Sequence, residues 1–273
     1  MRIRPLAEED VGRAARLLWA ALPPHGEDGD ARMRARLAHG LAHDPEGLWV
    51  AEDEDGLTGI ALAVRREEIW VLAWLGVHPG ARSAGVGGRL LEAALAYGAG
   101  CRGFLIASSD DARAMRLYAQ AGFDVHPSVL ARGRASPERA PDLSRVREGG
   151  AEDVEHCVRI DRAVRGGGRG IDVTAWLDSG DRLWRTPSGY AVGRQGRPMT
   201  VAATDEEEAS LLLWRVLLDG GEDESEVHWI TARQGWAVRT VLDAGLKLDR
   251  GYAYFTRGEL GPLTPWLPNN SLL

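Results

Sequence analysis

The stretch 77–95, VHPGARSAGVGGRLLEAAL, constrains this chain more tightly than any other. An apolar run, IWVLAWLGV (69–77), leads into it and reads as a strand covered on both faces. Pro79 and Gly80 break the strand. Leu90, Leu91, Ala94 and Leu95 then share one helical face. Between strand and helix lies a glycine cluster, which lets another group approach the main chain without obstruction by a Cβ. The first N–H groups of a helix lack intrahelical partners and face the positive end of its dipole, so an anion satisfies both. Arg82 can add a charge-assisted contact. The loop Arg82-Ser-Ala-Gly85-Val-Gly87 is therefore chemically a diphosphate seat. It lacks the Lys-Ser/Thr pair of a nucleotide-hydrolysing loop and the third glycine of a dinucleotide fingerprint.

The remaining pattern is that of an α/β protein. Ile3–Pro5 reads as a strand, and Val11–Ala21 as a helix stopped by Pro23 and Pro24. A second helix is expected within Ala31–His43, strands at 47–53, 57–64 and 103–108, and a helix over Asp111–Ala121. GFDV (122–125) and SVLAR (128–132) are read as two closing strands. Net charge is −7, which argues against a nucleic-acid partner and suits a cationic or neutral substrate. No apolar run reaches the ~20 residues of a membrane span, and no signal sequence is visible, so a soluble cytoplasmic protein is expected. The two cysteines, Cys101 and Cys157, have no metal or disulfide spacing, and the seven histidines show none either, so no metal is expected.

After RASPERAPDLS (134–144), which reads as a linker, the chain starts again. RVREGGAEDV (145–154) echoes RIRPLAEEDV (2–11) at an offset of 143, and LDAGL (242–246) echoes AQAGF (119–123) at an offset of 123. GYAV (189–192) and RPMTVAAT (197–204) resemble the strand pair of 47–64. The glycine cluster has no counterpart: ATDEEEASLLLWRVLL (203–218) sets three glutamates before its helix, and these repel a phosphate.

Val77-x-Pro79-x-x-Arg82-x-x-Gly85-x-Gly87-x-x-Leu90 resembles the acetyl-coenzyme A motif of the GNAT N-acyltransferase superfamily. DDARAMRLYAQAGF (110–123) resembles the superfamily's later helix and strand, with Asp111 in place of the usual Asn and Ala114, Leu117, Tyr118, Gly122 and Phe123 matching. The resemblance implies a mixed, splayed central sheet flanked by helices, in two tandem GNAT-like domains. These are an acetyl-CoA-binding domain at 1–133, the linker 134–144, a degenerate domain at 145–258 and an extended tail at 259–273.

It also implies chemistry. Leu75, Gly76 and Val77 would offer main chain to the pantetheine arm, with the Val77 N–H polarising the thioester carbonyl. Arg82, Ser83, Ala84, Gly85, Val86, Gly87 and Gly88 would hold the pyrophosphate, and Asp111 would stand at the start of the later helix as a further coenzyme contact. Tyr118 would be the general acid for the leaving thiolate, and Glu68, beside Glu67, the candidate general base. The expected reaction is direct attack by a primary amine of a small acceptor on acetyl-CoA in a ternary complex. The rivals are a non-catalytic acetyl-CoA sensor or partner-binding module, and a protein Lys or N-terminal acetyltransferase. A homodimer stays open as an assembly.

Overall fold

The computed structural model describes residues 1–21, 29–82 and 85–268. Pro23, Pro24, Ser83, Ala84 and the end of the tail lie outside the described residues. The chain forms two compact units, the first of Met1–Arg65 with Trp70–Cys101 and the second of Arg66–Ile69 with Arg102–Leu273.

Unit 1 holds β1 (Arg2–Pro5), a 3-10 turn (Glu8–Asp10), α1 (Val11–Ala21), α2 (Gly29–His43), β2 (Leu48–Asp53), β3 (Gly56–Arg66), β4 (Ile69–Val77) and α3 (Val86–Tyr97), apart from the hairpin tip at Arg66–Ile69. Its strands lie in the order β1-β2-β3-β4, with Ile3 opposite Ala51 and Val50 opposite Ile60. α1 buries Ala14, Ala15, Leu17 and Leu18, the face its sequence period indicates. Its start is fixed by charge. The buried Asp10 carboxylate accepts from the Ala7 N–H at 3.0 Å and from Arg4 at 2.5 Å, and pairs with Arg13 as well. These bonds, that to Arg4 foremost, hold the Asp10 carboxyl down at about 2. In β4, Trp70 to Ala73 are all buried, as a strand covered on both faces requires.

Unit 2 continues with β5 (Gly103–Ala107), α4 (Ala112–Gln120), β6 (Asp124–Gly133), β7 (Arg147–Gly149), a 3-10 turn (Ala151–Asp153), α5 (Val154–Val164) and α6 (Gly170–Asp178). Then come β8 (Arg182–Thr186), β9 (Gly189–Arg194), β10 (Arg197–Ala203), α7 (Glu206–Leu218), β11 (Ser225–Thr231), α8 (Gly235–Asp243), β12 (Lys247–Gly258) and β13 (Trp266–Leu267). From β7 to β12 the element series repeats that from β1 to β6: strand, 3-10 turn, two helices, three strands, helix, strand, helix, strand.

Strand pairing in unit 2 runs across the 134–144 segment. β12 lies between β5 and β6, antiparallel to both, with Tyr254 opposite Ala107 on one side and His126 on the other. β11 pairs with the far edge of β6. The order β5-β12-β6-β11 thus interleaves a strand-helix-strand unit from each half of the chain. A second sheet runs β13-β10-β9-β8-β7. The compact units do not divide at 134–144. That segment is packed on the unit 2 core, with Ala135 buried and the Ser136 N–H bonded to the Ala244 carbonyl at 2.9 Å.

One expectation about this region needs correction. Residues 124–133 form a single strand rather than two. Pro127 does not interrupt it because it faces a bulge in β12 between Arg250 and Ala253, where the ladder is already irregular. Gly251 permits that bulge: a Cβ there would stand 2.7 Å from the Ser128 carbonyl oxygen.

Candidate active site

In unit 1 the glycine stretch folds as its chemistry suggests. β4 ends in half-buried Leu75, buried Gly76 and half-buried Val77. The next N–H, that of His78, donates to the Thr58 carbonyl at 2.9 Å. The His78 ring accepts from the Gly80 N–H at 3.2 Å and closes a 3-10 turn over Pro79–Ala81, so His78 acts as a turn cap. Gly85 then takes φ +73°, a left-handed conformation that favours glycine, and starts α3 as its N-cap. Among the described residues no side chain caps this helix. Among the described residues, a Cβ placed on Gly85 would meet nothing within 4 Å. Gly87 and Gly88 are half-buried in the first turn.

Two strand glycines let helices approach the sheet closely, Gly59 under α3 and Gly76 under α1. A Cβ on Gly59 would lie 2.8 Å from Leu90 and 3.0 Å from Val86, and one on Gly76 would lie 3.2 Å from Leu18. Sequence reading passed over Gly59. Its signal was a glycine inside a strand pattern, which marks a close approach of another element.

Arg82 differs from expectation in its side chain. The guanidinium reaches the Ala21 carbonyl at the end of α1, at 3.4 Å, rather than the front of α3. Such a long bond is weak and leaves the group free to exchange toward an anion.

In unit 2, α4 carries the second set of expected residues. Asp111 is its N-cap and accepts from the Arg113 N–H at 2.9 Å, while Arg113 also pairs with it through the guanidinium at 2.7 Å. Asp111 thus caps α4. Tyr118 is buried in the same helix, edge-on to Phe255 with ring centroids 5.4 Å apart. Burial, and secondarily Asp111, pushes its phenol well above the ordinary tyrosine value, so it is fully protonated at neutral pH. Among the described residues its hydroxyl has no hydrogen-bond partner.

Glu68 sits in the β3–β4 hairpin tip, 64% exposed, paired with Arg102 at 3.1 Å, and in sequence it precedes β4, which ends at Val77. Glu67 is likewise engaged, with Arg162 at 2.7 Å and the Gly168 N–H at 3.1 Å. Cys157 is fully buried, and burial pushes its thiol up, away from nucleophilic use.

The repeated series shows how the other half treats the same positions. α7, the counterpart of α3, is capped by Asp205, which accepts from the Glu208 N–H at 3.0 Å, and Glu206, Glu207 and Glu208 fill its first turn. Val241 on α8 stands where α4 has Tyr118. β13 pairs with the end of β10, and the Ala203 N–H, last in that strand, donates to the Pro265 carbonyl at 3.1 Å.

Residues 44–125 match the sequence family described as acetyltransferase (GNAT) domain. No curated protein matches the chain. Solved structures share its fold. A putative acetyltransferase from Pyrococcus horikoshii superposes with a TM-score of 0.81 at 15% identity, covering 100% of this chain and 95% of its own. GCN5-related N-acetyltransferases from Kribbella flavida and Sphaerobacter thermophilus give 0.62 at 16% identity and 0.59 at 18%. Each covers 94% of this chain, and 71% and 95% of their own lengths are matched. GNAT acetyltransferases use acetyl-CoA as cosubstrate. The match to the acetyltransferase (GNAT) domain family is thus confined to residues 44–125, while the fold is shared with solved acetyltransferases over the whole chain.

Proposed function

We propose that this protein is an acetyl-CoA-dependent N-acetyltransferase that acetylates a primary amine of a small acceptor by direct attack in a ternary complex. The observation that carries the reading is the contrast between two equivalent helix starts. Among the described residues α3 begins on a glycine that no side chain caps and whose Cβ position meets nothing within 4 Å, whereas α7 begins on a capping aspartate and three glutamates. Only the first can take a diphosphate.

When bound, acetyl-CoA supplies an acetyl group already activated as a thioester. The N–H groups from Gly85 to Gly88 would hold the pyrophosphate, with Arg82 released from Ala21 to join them. Leu75, Gly76 and Val77 would offer main chain to the thioester arm, and the Val77 N–H would stabilise negative charge developing on the carbonyl oxygen. Tyr118, kept protonated by its burial and unengaged in hydrogen bonding, would give its proton to the departing sulfur. Neither Glu67 nor Glu68 supports a base role, and the acidic chain suits an acceptor that arrives as a cation.

The C-terminal half is read as a degenerate second copy. It repeats the element series, lacks the tyrosine, caps its helix with its own carboxylate and lays its own tail along β10. By position, the Ala203–Pro265 hydrogen bond stands where Val77 would meet a thioester arm, so the tail substitutes for a coenzyme there.

Thiol release from acetyl-CoA, measured against a panel of aminoglycosides, polyamines, amino acids and peptides, tests the reading. Turnover with a small amine supports it. Turnover with peptides alone makes the protein a protein acetyltransferase, and coenzyme binding without turnover makes it a sensor.

A further inference from the structure

α4 is nine residues long and buries Tyr118 alone among its described residues. A helix so short is marginal by itself and takes its place from what it packs against. The tethers that hold it come from β12, a strand of the C-terminal half. Phe255, 1% exposed, sets its ring edge-to-face with that of Tyr118, the centroids 5.4 Å apart and the planes at 71°. Two residues on, and so on the same face of the strand, Arg257 donates to the Ala121 carbonyl at 2.9 Å. Ala121 is the C-cap of α4, where carbonyls lack intrahelical partners and the dipole favours a cation. The Arg257 guanidinium is itself held between two rings, 4.2 Å from the centroid of Phe104 and 4.7 Å from that of Phe123. The Phe123 N–H in turn donates to the Tyr118 carbonyl at 3.2 Å.

β12 is fixed in its own position. Phe255 lies opposite Ile106 of β5 and Val125 of β6, and the Ser108 N–H donates to the Ala253 carbonyl at 2.9 Å. The other helix of the repeated series lacks this arrangement. Ala244, the C-cap of α8, accepts from the Ser136 main-chain N–H at 2.9 Å. At the same offset of 123, Arg132 and Arg134 stand where Phe255 and Arg257 would, and they pair with Glu226 and Glu222. The aromatic face and the stacked arginine accompany the helix that has a tyrosine, and α8 has Val241 there.

We propose that Phe255 and Arg257 are positioning residues for Tyr118, the phenyl ring holding the tyrosine ring in one rotamer and the guanidinium holding the end of its helix. A helical tyrosine has two common χ1 rotamers, and they carry the hydroxyl to different places. A misplacement of about 1 Å costs up to about a hundredfold in rate. The degenerate half thereby serves the chemistry of the first half without a coenzyme of its own. The proposal rests on Tyr118 as the acid of the proposed reaction.

Carbon-13 NMR of the full chain, with tyrosine labelled at the phenolic carbon, tests it without an acceptor. The Tyr118 signal is the one missing from Tyr118→Phe. In the unsubstituted protein it should be single, sharp and unmoved up to about pH 11, because burial keeps the phenol protonated. In Phe255→Leu and in Arg257→Met it should broaden or split and begin to titrate below about pH 11. The Tyr190 signal, from a hydroxyl bonded to Asp161 and Arg169, should stay in place in both. Arg257 is half-buried, so its variant keeps the fold available even if Phe255→Leu does not. Thiol release with any amine that is turned over gives a second readout. There kcat should fall about tenfold in each variant with the coenzyme Kd retained, and no further when either is combined with Tyr118→Phe. A Tyr118 signal unmoved in both variants, a Tyr190 signal that moves with it in both, or a kcat loss that adds to that of Tyr118→Phe overturns the proposal. Undiminished kcat in Tyr118→Phe removes the acid reading instead, and the NMR result stands apart from it.

Discussion

Three residues define what single side chains do here. Tyr118 has a hydroxyl that bonds to nothing among the described residues, so its removal costs the fold little. Tyr118→Phe should leave the melting temperature within ~2 °C and reduce kcat by about 10²-fold, with coenzyme affinity retained; steady-state kinetics with a calorimetric Kd reads all three. Asp10 carries the opposite kind of role. Its folded pKa, about 2, lies below the ordinary 3.8, so its stabilisation is full above pH ~4 and is lost as pH falls toward 2. Asp10→Asn should cost about 2 kcal/mol at pH 7 and less at pH 3, by denaturant unfolding at both pH values. Arg165 is a buried cation without a matching anion, and burial lowers its pKa to about 10. Arg165→Met should be neutral to about 2 kcal/mol stabilising, because an unmatched buried charge is replaced by apolar volume.

At the scale of elements, α3 and α7 differ in how they begin, one on glycine and the other on a capping aspartate. The Gly85 conformation, φ +73°, is strained for any residue with a Cβ, by about 1–2 kcal/mol. Gly85→Val should therefore lower stability by that amount and, by filling the space before the helix, abolish coenzyme binding. Much of this was legible from residue order: the apolar period located α1, β4 and α3, and the glycines before a helical face marked the start of α3. Other features were not legible. Pro127 read as a break because its tolerance depends on a bulge in β12, a strand more than a hundred residues later. Sequence adjacency to a strand does not say which end of that strand meets substrate, so Glu68 could be named only as a candidate base. Phe255 and Arg257 come to α4 from the other half of the chain, and no local spacing joins them.

At the scale of the molecule, the repeated element series places similar units in one chain, yet their strands are interleaved. β12 completes the sheet between β5 and β6, so residues 1–133 lack the strand that joins their last two. A chain ending at residue 133 should fail to give a dispersed amide spectrum, and coexpression with residues 134–273 should restore it. The pairing was hidden from sequence reading because a period identifies a strand and not its neighbour. Of the two equivalent helix starts in the repeated series, one begins on Gly85 and the other is capped by Asp205. Titration calorimetry of the full chain with acetyl-CoA tests this asymmetry most directly. The account predicts one site per chain, lost in Gly85→Val and unchanged in Asp205→Ala. Two sites per chain, or a single site that survives Gly85→Val, would contradict it.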